Sequence, residues 1–244
     1  MQADILRKVK IGGLIKNSFV DYPGKIAAVI FGLGCNFDCW YCHNRELLSK
    51  KETLDEGETL DFLYKRRGQL DAVVFSGGEA CLQDGLEDLI AEVKSMDYLV
   101  KLDTNGSYPL VLKDLIRKEL LDYVAMDIKA PLDKYKIAVC VDADINALRE
   151  SVGILLSLKN GGKGSFAPDY EFRTTCIPQL AVSDIEEIAK TIKGAERYAL
   201  QQYRHFQTDN KIIGMKYKPH DKRFFTEASA VAQKYINNVI IRGI

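Results

Sequence analysis

Residues 26–42 read IAAVIFGLGCNFDCWYC. The first eight, Ile26–Leu33, are an almost unbroken apolar run, which is typical of a parallel strand buried on both faces. Three cysteines follow at once: Cys35, Cys39 and Cys42. Because the loop after a parallel strand lies at the carboxyl edge of its sheet, where ligands bind in such folds, this stretch predicts a strand that ends in a reactive loop.

Short apolar runs and amphipathic helical patterns alternate along the rest of the chain. Five further runs predict strands: Asp71–Ser76, Tyr98–Asp103, Tyr123–Ile128, Tyr170–Cys176 and Arg197–Gln202. This alternation indicates an α/β fold with a parallel sheet. Six strand-helix units are too few for a closed eight-stranded barrel, so they suit an open partial barrel or a doubly wound sheet. We predict the partial (β/α)6 TIM-like open barrel, with the active site at the carboxyl ends of the strands.

The composition is that of an ordinary globular protein, with 47% hydrophobic and 28% charged residues, which excludes disorder. Lys and Arg balance Asp and Glu at 34 each, so we expect no nucleic-acid partner. We expect no membrane span and no secretory signal, and therefore a cytoplasmic protein. A single domain over residues 1–244 is predicted, with a core of about 12–203 and a C-terminal helix and tail at 204–244. The glycine-rich segment Lys159–Ser165 predicts a surface loop.

The clustered cysteines are candidate metal ligands, because thiolates in a reducing compartment bind zinc or iron–sulfur clusters more often than they form disulfides. A structural zinc site needs four ligands, and His43 directly adjoins Cys42, which makes it a poor fourth. Three thiolates suit a 4Fe–4S cluster with one iron open to a ligand. A zinc-knuckle module is the alternative. The remaining cysteines are interpreted as structural: Cys81, Cys140 and Cys176.

Polar motifs follow three of the other predicted strands. They are Ser76-Gly77-Gly78-Glu79, Asp103-Thr104-Asn105-Gly106 and Asp127-Ile128-Lys129. Each could be a simple turn, because Gly, Asn and Asp favour turns. We interpret them as site residues, since the carboxyl ends of parallel strands share one edge. Glycine lets a backbone approach a ligand closely, and a carboxylate can accept hydrogen bonds from an ammonium group.

The spacing CxxxCxxC, with Tyr41 before the last cysteine, resembles the signature of radical S-adenosylmethionine (radical SAM) enzymes. The Asp-x-Pro-Gly at 21–24, the Cys-His-Asn at 42–44, and the Asp-Thr-Asn-Gly and Asp-x-Lys motifs resemble the glycyl radical enzyme activating enzymes. The resemblance extends from about Gly12 to Tyr203. The stretch GLIKNSFVDYPG at 13–24 is most similar to the activating protein of anaerobic ribonucleoside-triphosphate reductase.

The resemblance implies roles for the matching residues. One 4Fe–4S cluster would be bound by three ligands, Cys35, Cys39 and Cys42. S-adenosylmethionine would be bound by Tyr41 beside the adenine, by Gly77, Gly78 and Glu79 at the methionine end, and by Lys129. In a related activating enzyme, a monovalent cation is held at the positions that match Asp103, Thr104 and Asp127.

Other matching positions concern the partner protein. Asp21 and Arg173 match an aspartate and an arginine that meet in a relative, which implies a pair beside the partner's glycine loop. The alternative is that Asp21 only caps its own turn. Arg204 stands where that relative has a histidine, so its contact with the cofactor is left open. Cys81 is either an extra ligand or, as we favour, a small buried residue.

The resemblance also implies the reaction. The cluster would reductively cleave S-adenosylmethionine to a 5′-deoxyadenosyl radical, which would abstract hydrogen from a glycine of a partner enzyme. Anaerobic ribonucleoside-triphosphate reductase is the partner that the local sequence favours, with a flavodoxin- or ferredoxin-type protein as electron donor. Two alternatives are a radical SAM enzyme acting on a small molecule or peptide, and a zinc-stabilised binding module.

Overall fold

The computed structural model describes residues 9–158, 167–208, 211–213 and 216–244. The predicted loop Lys159–Ser165 therefore lies outside the described residues. No helix in these ranges is both long and apolar enough to cross a bilayer.

The strands within these ranges are β1 (Ile11–Ser18), β2 (Ala27–Gly32), β3 (Ala72–Gly77), β4 (Leu99–Thr104), β5 (Tyr123–Asp127), β6 (Asp169–Cys176), β7 (Tyr198–Gln202), β8 (Phe206–Thr208), β9 (Lys211–Ile213) and β10 (Val239–Arg242). Eight of them form one sheet in the order β1-β2-β3-β4-β5-β6-β7-β10. Strands β2 to β7 and β10 run parallel, whereas β1 pairs antiparallel with β2. The remaining two strands, β8 and β9, form a separate antiparallel hairpin.

Helices connect the strands. They are α1 (Glu56–Lys65), α2 (Leu86–Ser95), α3 (Pro109–Arg117), α4 (Lys136–Val139), α5 (Ile145–Ser157), α6 (Val182–Thr191) and α7 (Lys222–Ala232), with short 3₁₀ turns at Arg45–Leu48, Ala80–Leu82 and Leu132–Lys134. Aspartate side chains start α1, α5 and α7 by accepting hydrogen bonds from backbone N–H groups of the first turn. Such caps satisfy donors that a helix cannot satisfy itself.

The six predicted strands are confirmed, as is the α/β partial barrel, because the parallel sheet does not close on itself. The sequence analysis missed both edge strands. The short tail predicted after the last helix contains β10, which adds a seventh parallel strand beside β7. At the other edge, β1 covers β2 through an irregular antiparallel pairing.

Strand alternation decides which residues face the inside of the barrel. In β3, Val73 and Phe75 join the core between sheet and helices, whereas Ala72 and Val74 join a smaller inner cluster. The same parity carries Ser76 to the inner face at the carboxyl end of the strand. Alanines, valines and two tyrosines fill the lower interior, and polar side chains follow above them, so the chemistry is confined to one end of the barrel.

An ion pair with one buried partner, Glu171, attaches the last strand to the barrel. Both guanidinium nitrogens of Arg242 on β10 donate to the carboxylate of Glu171 on β6, each at 2.8 Å, and this contact spans β7. Glu171 is 1% exposed. A buried carboxylate needs such a partner, because its desolvation is otherwise uncompensated.

We expect Arg242→Met to lower the free energy of unfolding by about 2–4 kcal/mol, because it leaves the Glu171 carboxylate buried without its partner. Urea denaturation followed by circular dichroism measures this change. The double variant Glu171→Leu/Arg242→Met removes both charges and should recover most of the loss. A single variant as stable as the native protein would contradict this role of the pair.

Candidate active site

A cavity of about 550 Å³ lies at the carboxyl edge of the sheet. All thirteen residues that the sequence resemblance singles out line it: Asp21, Cys35, Cys39, Tyr41, Cys42, Gly77, Gly78, Glu79, Asp103, Thr104, Asp127, Lys129 and Arg173. They come from the loops and ends of five parallel strands and from the segment before β2. The fold therefore gathers residues that are up to 152 positions apart in the sequence.

The three clustered cysteines lie on the cysteine loop, which we define as residues 33–44, directly after β2. None forms a disulfide; Cys39 is buried, and Cys35 and Cys42 are half-buried. Arg45 fixes the loop by donating to the carbonyl oxygen of Cys39 at 3.0 Å and to the carboxylate of Asp38 at 2.6 Å. The loop is thus held in place by its own flanking residues.

The donor set of the cysteine loop fits a cluster better than a single ion. In the described ranges, no three Cys, His, Asp or Glu side chains converge closely enough to hold one metal ion. A zinc site requires that convergence, whereas the thiolates of a 4Fe–4S cluster bind separate irons around a larger body. Burial raises the pKa of Cys39 to about 12, with nearby Lys129 opposing the shift, so binding a cluster there would displace the thiol proton.

The Gly-Gly pair after β3 allows two loops to pack backbone against backbone. Gly77 has φ of 115°, and a side chain on it would meet the Gly32 backbone at 2.5 Å. A Cβ on Gly78 would lie 1.8 Å from the carbonyl oxygen of Gly34 in the cysteine loop. The glycines are therefore required by the close approach of protein to protein. Asn44 adds a bond from its side-chain amide to the carbonyl oxygen of Gly77 at 3.3 Å.

Glu79 connects its own loop, after β3, with the loop after β4. It is 1% exposed, and its carboxylate accepts from the backbone N–H of Cys81 at 3.0 Å, the hydroxyl of Thr104 at 2.8 Å and the backbone N–H of Asn105 at 2.7 Å. Burial raises the pKa of Glu79, and these hydrogen bonds oppose that rise. A carboxylate has about four lone-pair positions, so one stays available to an ammonium group.

A chain of buried charges lines the floor of the cavity. Arg173 binds both carboxylates, Asp127 at 2.7 Å and Asp103 at 3.3 Å. Each carboxylate also binds one lysine: Lys101 lies 2.7 Å from Asp103, and Lys129 lies 3.1 Å from Asp127. Burial alone would raise the pKa of both carboxyls, but the cations outweigh it. They lower the pKa of Asp127 to about 2 and hold that of Asp103 below its usual value. Three cations face two carboxylates, which favours an anionic ligand group here.

This charge balance bears on the predicted monovalent cation. Asp103 and Asp127 already have three protein cations as partners, and the Thr104 hydroxyl donates to Glu79. The carboxylates therefore do not need a metal cation for charge compensation. The cation stays a prediction, and the described geometry gives it no support.

The predicted pair between Asp21 and Arg173 is wrong. The carboxylate of Asp21 accepts instead from the hydroxyl of Ser18 at 2.5 Å, and that hydroxyl accepts in turn from the N–H groups of Val20 and Asp21. Arg173 is taken by the two carboxylates of the cavity floor. The alternative, a cap on the turn at residues 22–24, stays a prediction, because the Asp21 carboxylate bonds to Ser18 on the other side of it.

Several residues outside the predicted set are now placed. Cys81 is buried, with its sulfur 3.8 Å from the Thr104 hydroxyl and outside the cavity lining, as a small packing residue should be. Arg204 is exposed and donates to the carbonyl oxygen of Gly243, also outside that lining. Cys176 is buried, whereas Cys140 is exposed, so the structural interpretation of Cys140 stays a prediction that burial does not support.

Some site residues were missed. Lys101 precedes Asp103 by two positions and Thr175 follows Arg173 by two, so strand alternation could have placed both on the inner face. Arg242 could not have been found in this way, because its strand was not predicted. Among the described residues, none forms a hydrogen bond with the buried hydroxyl of Tyr41 in the cavity wall, which leaves it available to a ligand.

Comparison with known proteins agrees with this site. The family model of the radical SAM superfamily matches residues 29–192. A Methanocaldococcus jannaschii protein named as a glycyl-radical enzyme activating enzyme is 36% identical over 245 residues, covering 97% of both chains. The pyruvate formate-lyase-activating enzyme of Clostridium pasteurianum is 27% identical, covering 95% of this chain and 98% of its own.

The fold also matches a solved structure. The Streptococcus suis protein SuiB bound to S-adenosylmethionine superposes with a TM-score of 0.64 at 11% identity, over 86% of this chain and 48% of that one. This chain therefore spans about half the length of SuiB. At this identity the likeness concerns the fold. The family match contradicts the alternative of a zinc-stabilised binding module.

We expect Cys35→Ala, Cys39→Ala and Cys42→Ala each to abolish iron binding after anaerobic reconstitution, because no neighbouring thiolate can replace a lost ligand. Iron and labile sulfide assays measure the loss. Cys81→Ala is the matched control and should retain near-normal iron. If Cys81→Ala lost iron as completely as Cys39→Ala, the three-ligand assignment would fail.

We expect Glu79→Gln to weaken binding of S-adenosylmethionine about 10- to 100-fold while the cluster stays intact. The amide removes the negative charge and turns a donor toward the backbone N–H groups that Glu79 now binds. Isothermal titration of the anaerobic protein gives the affinity, and the exposed Glu46→Gln is the control. Native affinity in the Glu79 variant would mean that the Gly-Gly-Glu motif has no role in binding.

Proposed function

Because the chain belongs to the radical SAM superfamily, we propose that it activates a glycyl radical enzyme by removing a hydrogen atom from one glycine of that partner. We propose anaerobic ribonucleoside-triphosphate reductase as the partner, on the sequence similarity of residues 13–24. The chain is a radical SAM enzyme, with relatives named as glycyl-radical enzyme activating enzymes. The proposal extends to this chain the function for which those relatives are named.

Each group of residues in the cavity has a task in this reaction. Cys35, Cys39 and Cys42 would hold the 4Fe–4S cluster, which when bound supplies the electron that cleaves S-adenosylmethionine to a carbon radical. The positive cavity floor, where Lys101, Lys129 and Arg173 outnumber Asp103 and Asp127, suits the carboxylate of the methionine group. The Gly-Gly-Glu loop would hold its ammonium group.

One observation supports a protein substrate in particular. Phe19 and Val20, which directly precede the cavity-lining residue Asp21, expose 73% and 87% of their surface. Two adjacent, strongly exposed apolar side chains beside an open site favour contact with another protein. A small-molecule enzyme would need to cover its substrate instead, to exclude water.

The apolar pair, which we call the lip (Phe19 and Val20), is held in a fixed place. The Ser18 hydroxyl accepts from the Val20 N–H at 3.2 Å and donates to Asp21. Lys101 donates to the carbonyl oxygen of Asp21 at 2.6 Å and also binds Asp103 on the cavity floor. Lys101 therefore connects the lip to the charge chain on the cavity floor, which would orient the cofactor. The position of the lip and the position of the cofactor thus depend on the same lysine.

Three further predictions belong to this proposal. We propose a single domain over residues 1–244, a cytoplasmic location, and reduction by a flavodoxin- or ferredoxin-type donor. Of these, the donor is the one that the chemistry demands, because cleavage of S-adenosylmethionine consumes one electron per turnover.

The proposal is tested by anaerobic incubation of the reconstituted protein with S-adenosylmethionine, dithionite and anaerobic ribonucleoside-triphosphate reductase. Electron paramagnetic resonance should show the doublet of a glycyl radical on the reductase. Pyruvate formate-lyase in place of the reductase tests the choice of partner. Cofactor cleavage without a radical on either protein would favour the alternative, a radical SAM enzyme that acts on a small molecule or peptide.

We expect the double variant Phe19→Ser/Val20→Ser to raise the KM for the partner protein about tenfold, because the lip contributes apolar contact area. Cofactor cleavage with dithionite alone measures the integrity of the cavity in the same preparation.

The matched control is Tyr64→Ser, which removes a 62% exposed aromatic ring from the far end of α1. It should leave the KM for the partner unchanged. An unchanged KM in the double variant would show that the lip does not contribute to partner binding. An equal rise in the KM of the control would show that the effect is not specific to the lip.

A further inference from the structure

A basic segment follows β7. Residues 204–223 contain six Lys or Arg and two Asp, in a chain whose 34 basic and 34 acidic residues balance overall. The excess positive charge is therefore concentrated in one short part of the sequence. A local charge of one sign attracts partners of the opposite sign over about a Debye length, roughly 10 Å at 0.1 M salt.

Four cations of this segment are described, exposed and free of carboxylate partners: Arg204, Lys216, Lys218 and Lys222. Arg204 donates only to a backbone carbonyl, and Lys216 lies over the ring of Tyr217 at 4.8 Å. We call these four residues the basic face. Their charges are uncompensated within the described chain, so they can act on a partner.

The basic face is joined to the cysteine loop through aromatic rings. Tyr217 packs on Trp40 with ring centroids 4.7 Å apart, and Tyr203 packs on the same indole at 5.5 Å. Trp40, the one tryptophan of the chain, lies between Cys39 and Cys42. The surface that presents these cations is therefore in direct contact with the loop that carries all three proposed cluster ligands.

Hydrogen bonds and ring stacking hold this surface in place. His205 hydrogen-bonds the carbonyl oxygen of Tyr217 at 2.7 Å, and Gln202 at the end of β7 donates to the carbonyl oxygen of His220 at 2.8 Å. His220 also stacks on Phe224 with centroids 3.6 Å apart. A preorganised surface loses little entropy when a partner docks.

We propose that the basic face is the docking site of an acidic one-electron carrier protein. Docking there would bring the carrier's redox group close to Trp40 and the cysteine loop. One electron would leave the carrier, which is oxidised by one equivalent, and would enter the cluster site, where cleavage of the sulfonium C–S bond consumes it. The inference rests on the radical SAM part of the proposed function and is independent of the glycine substrate.

The glycyl radical partner fits this face less well than the carrier does. The lip that favours that partner is apolar and belongs to the segment before β2, whereas the basic face follows β7. The two surfaces differ in chemistry and come from different parts of the sheet, so a carrier on the basic face leaves the lip to the substrate protein. Charge complementarity also suits a transient encounter, because it raises the association rate more than the final affinity.

The test is a triple charge reversal, Lys216→Glu/Lys218→Glu/Lys222→Glu, in the reconstituted holoenzyme. The matched control reverses three exposed lysines at the amino edge of the barrel: Lys25→Glu/Lys65→Glu/Lys193→Glu. Affinity for a purified flavodoxin of strongly negative net charge is measured by isothermal titration at 50 and 500 mM salt. We expect at least tenfold weaker binding for the triple variant at low salt, a smaller difference at high salt, and near-native binding for the control.

A kinetic measurement distinguishes a loss of docking from damage to the cluster site. Stopped-flow absorbance should show slower reduction of the triple variant by reduced flavodoxin, and a native rate with dithionite, which needs no docking surface. Native flavodoxin affinity in the triple variant, or equal losses in the control, would overturn the proposal. Tight salt-dependent binding of a nucleic acid that competes with flavodoxin would also overturn it, in favour of a different partner. Failure of glycyl radical formation with intact flavodoxin binding would count against the glycine substrate alone.

Discussion

The site depends on one buried carboxylate. Glu79 accepts hydrogen bonds from Cys81, Thr104 and Asn105, and its own backbone N–H donates to Gly34 in the cysteine loop at 2.9 Å. One residue thus connects the loops after three adjacent strands. The close packing of Gly78 on the same loop leaves no room for a side chain, so the cysteines can take only a narrow range of positions relative to the rest of the cavity.

The interior of the barrel sets the electrostatics of that cavity. Alanines and valines fill the lower half, and the alternating pattern of the strands then delivers Asp103, Asp127 and Arg173 to the same level. Buried charges of this kind are stable only when they are paired, and here the pairs form a chain that extends from Lys129 to Lys101. Lys101 also holds the backbone of Asp21, so the chain that lines the cavity floor extends to the segment before β2.

Much of this arrangement could be predicted from the sequence, because strand-helix alternation and strand ends are local features. The cysteine loop and the Gly-Gly-Glu motif follow strands that long apolar runs reveal. Two kinds of feature could not be predicted. Val239–Arg242 is too short a run to identify as a strand, since its stability comes from the Glu171 pair and from β7. The partner of Asp21 was misassigned because a local hydroxyl, Ser18, three residues away, satisfies the carboxylate before a distant arginine can.

The central claim is that hydrogen moves from a glycine of a partner protein to this enzyme's cofactor. The most direct measurement labels the glycines of anaerobic ribonucleoside-triphosphate reductase with deuterium at Cα and follows the mass of the 5′-deoxyadenosine formed in an anaerobic reaction. We expect one deuterium in the product when the labelled reductase is present and none with unlabelled reductase. Product without deuterium, formed at the same rate with labelled reductase, would contradict the central claim.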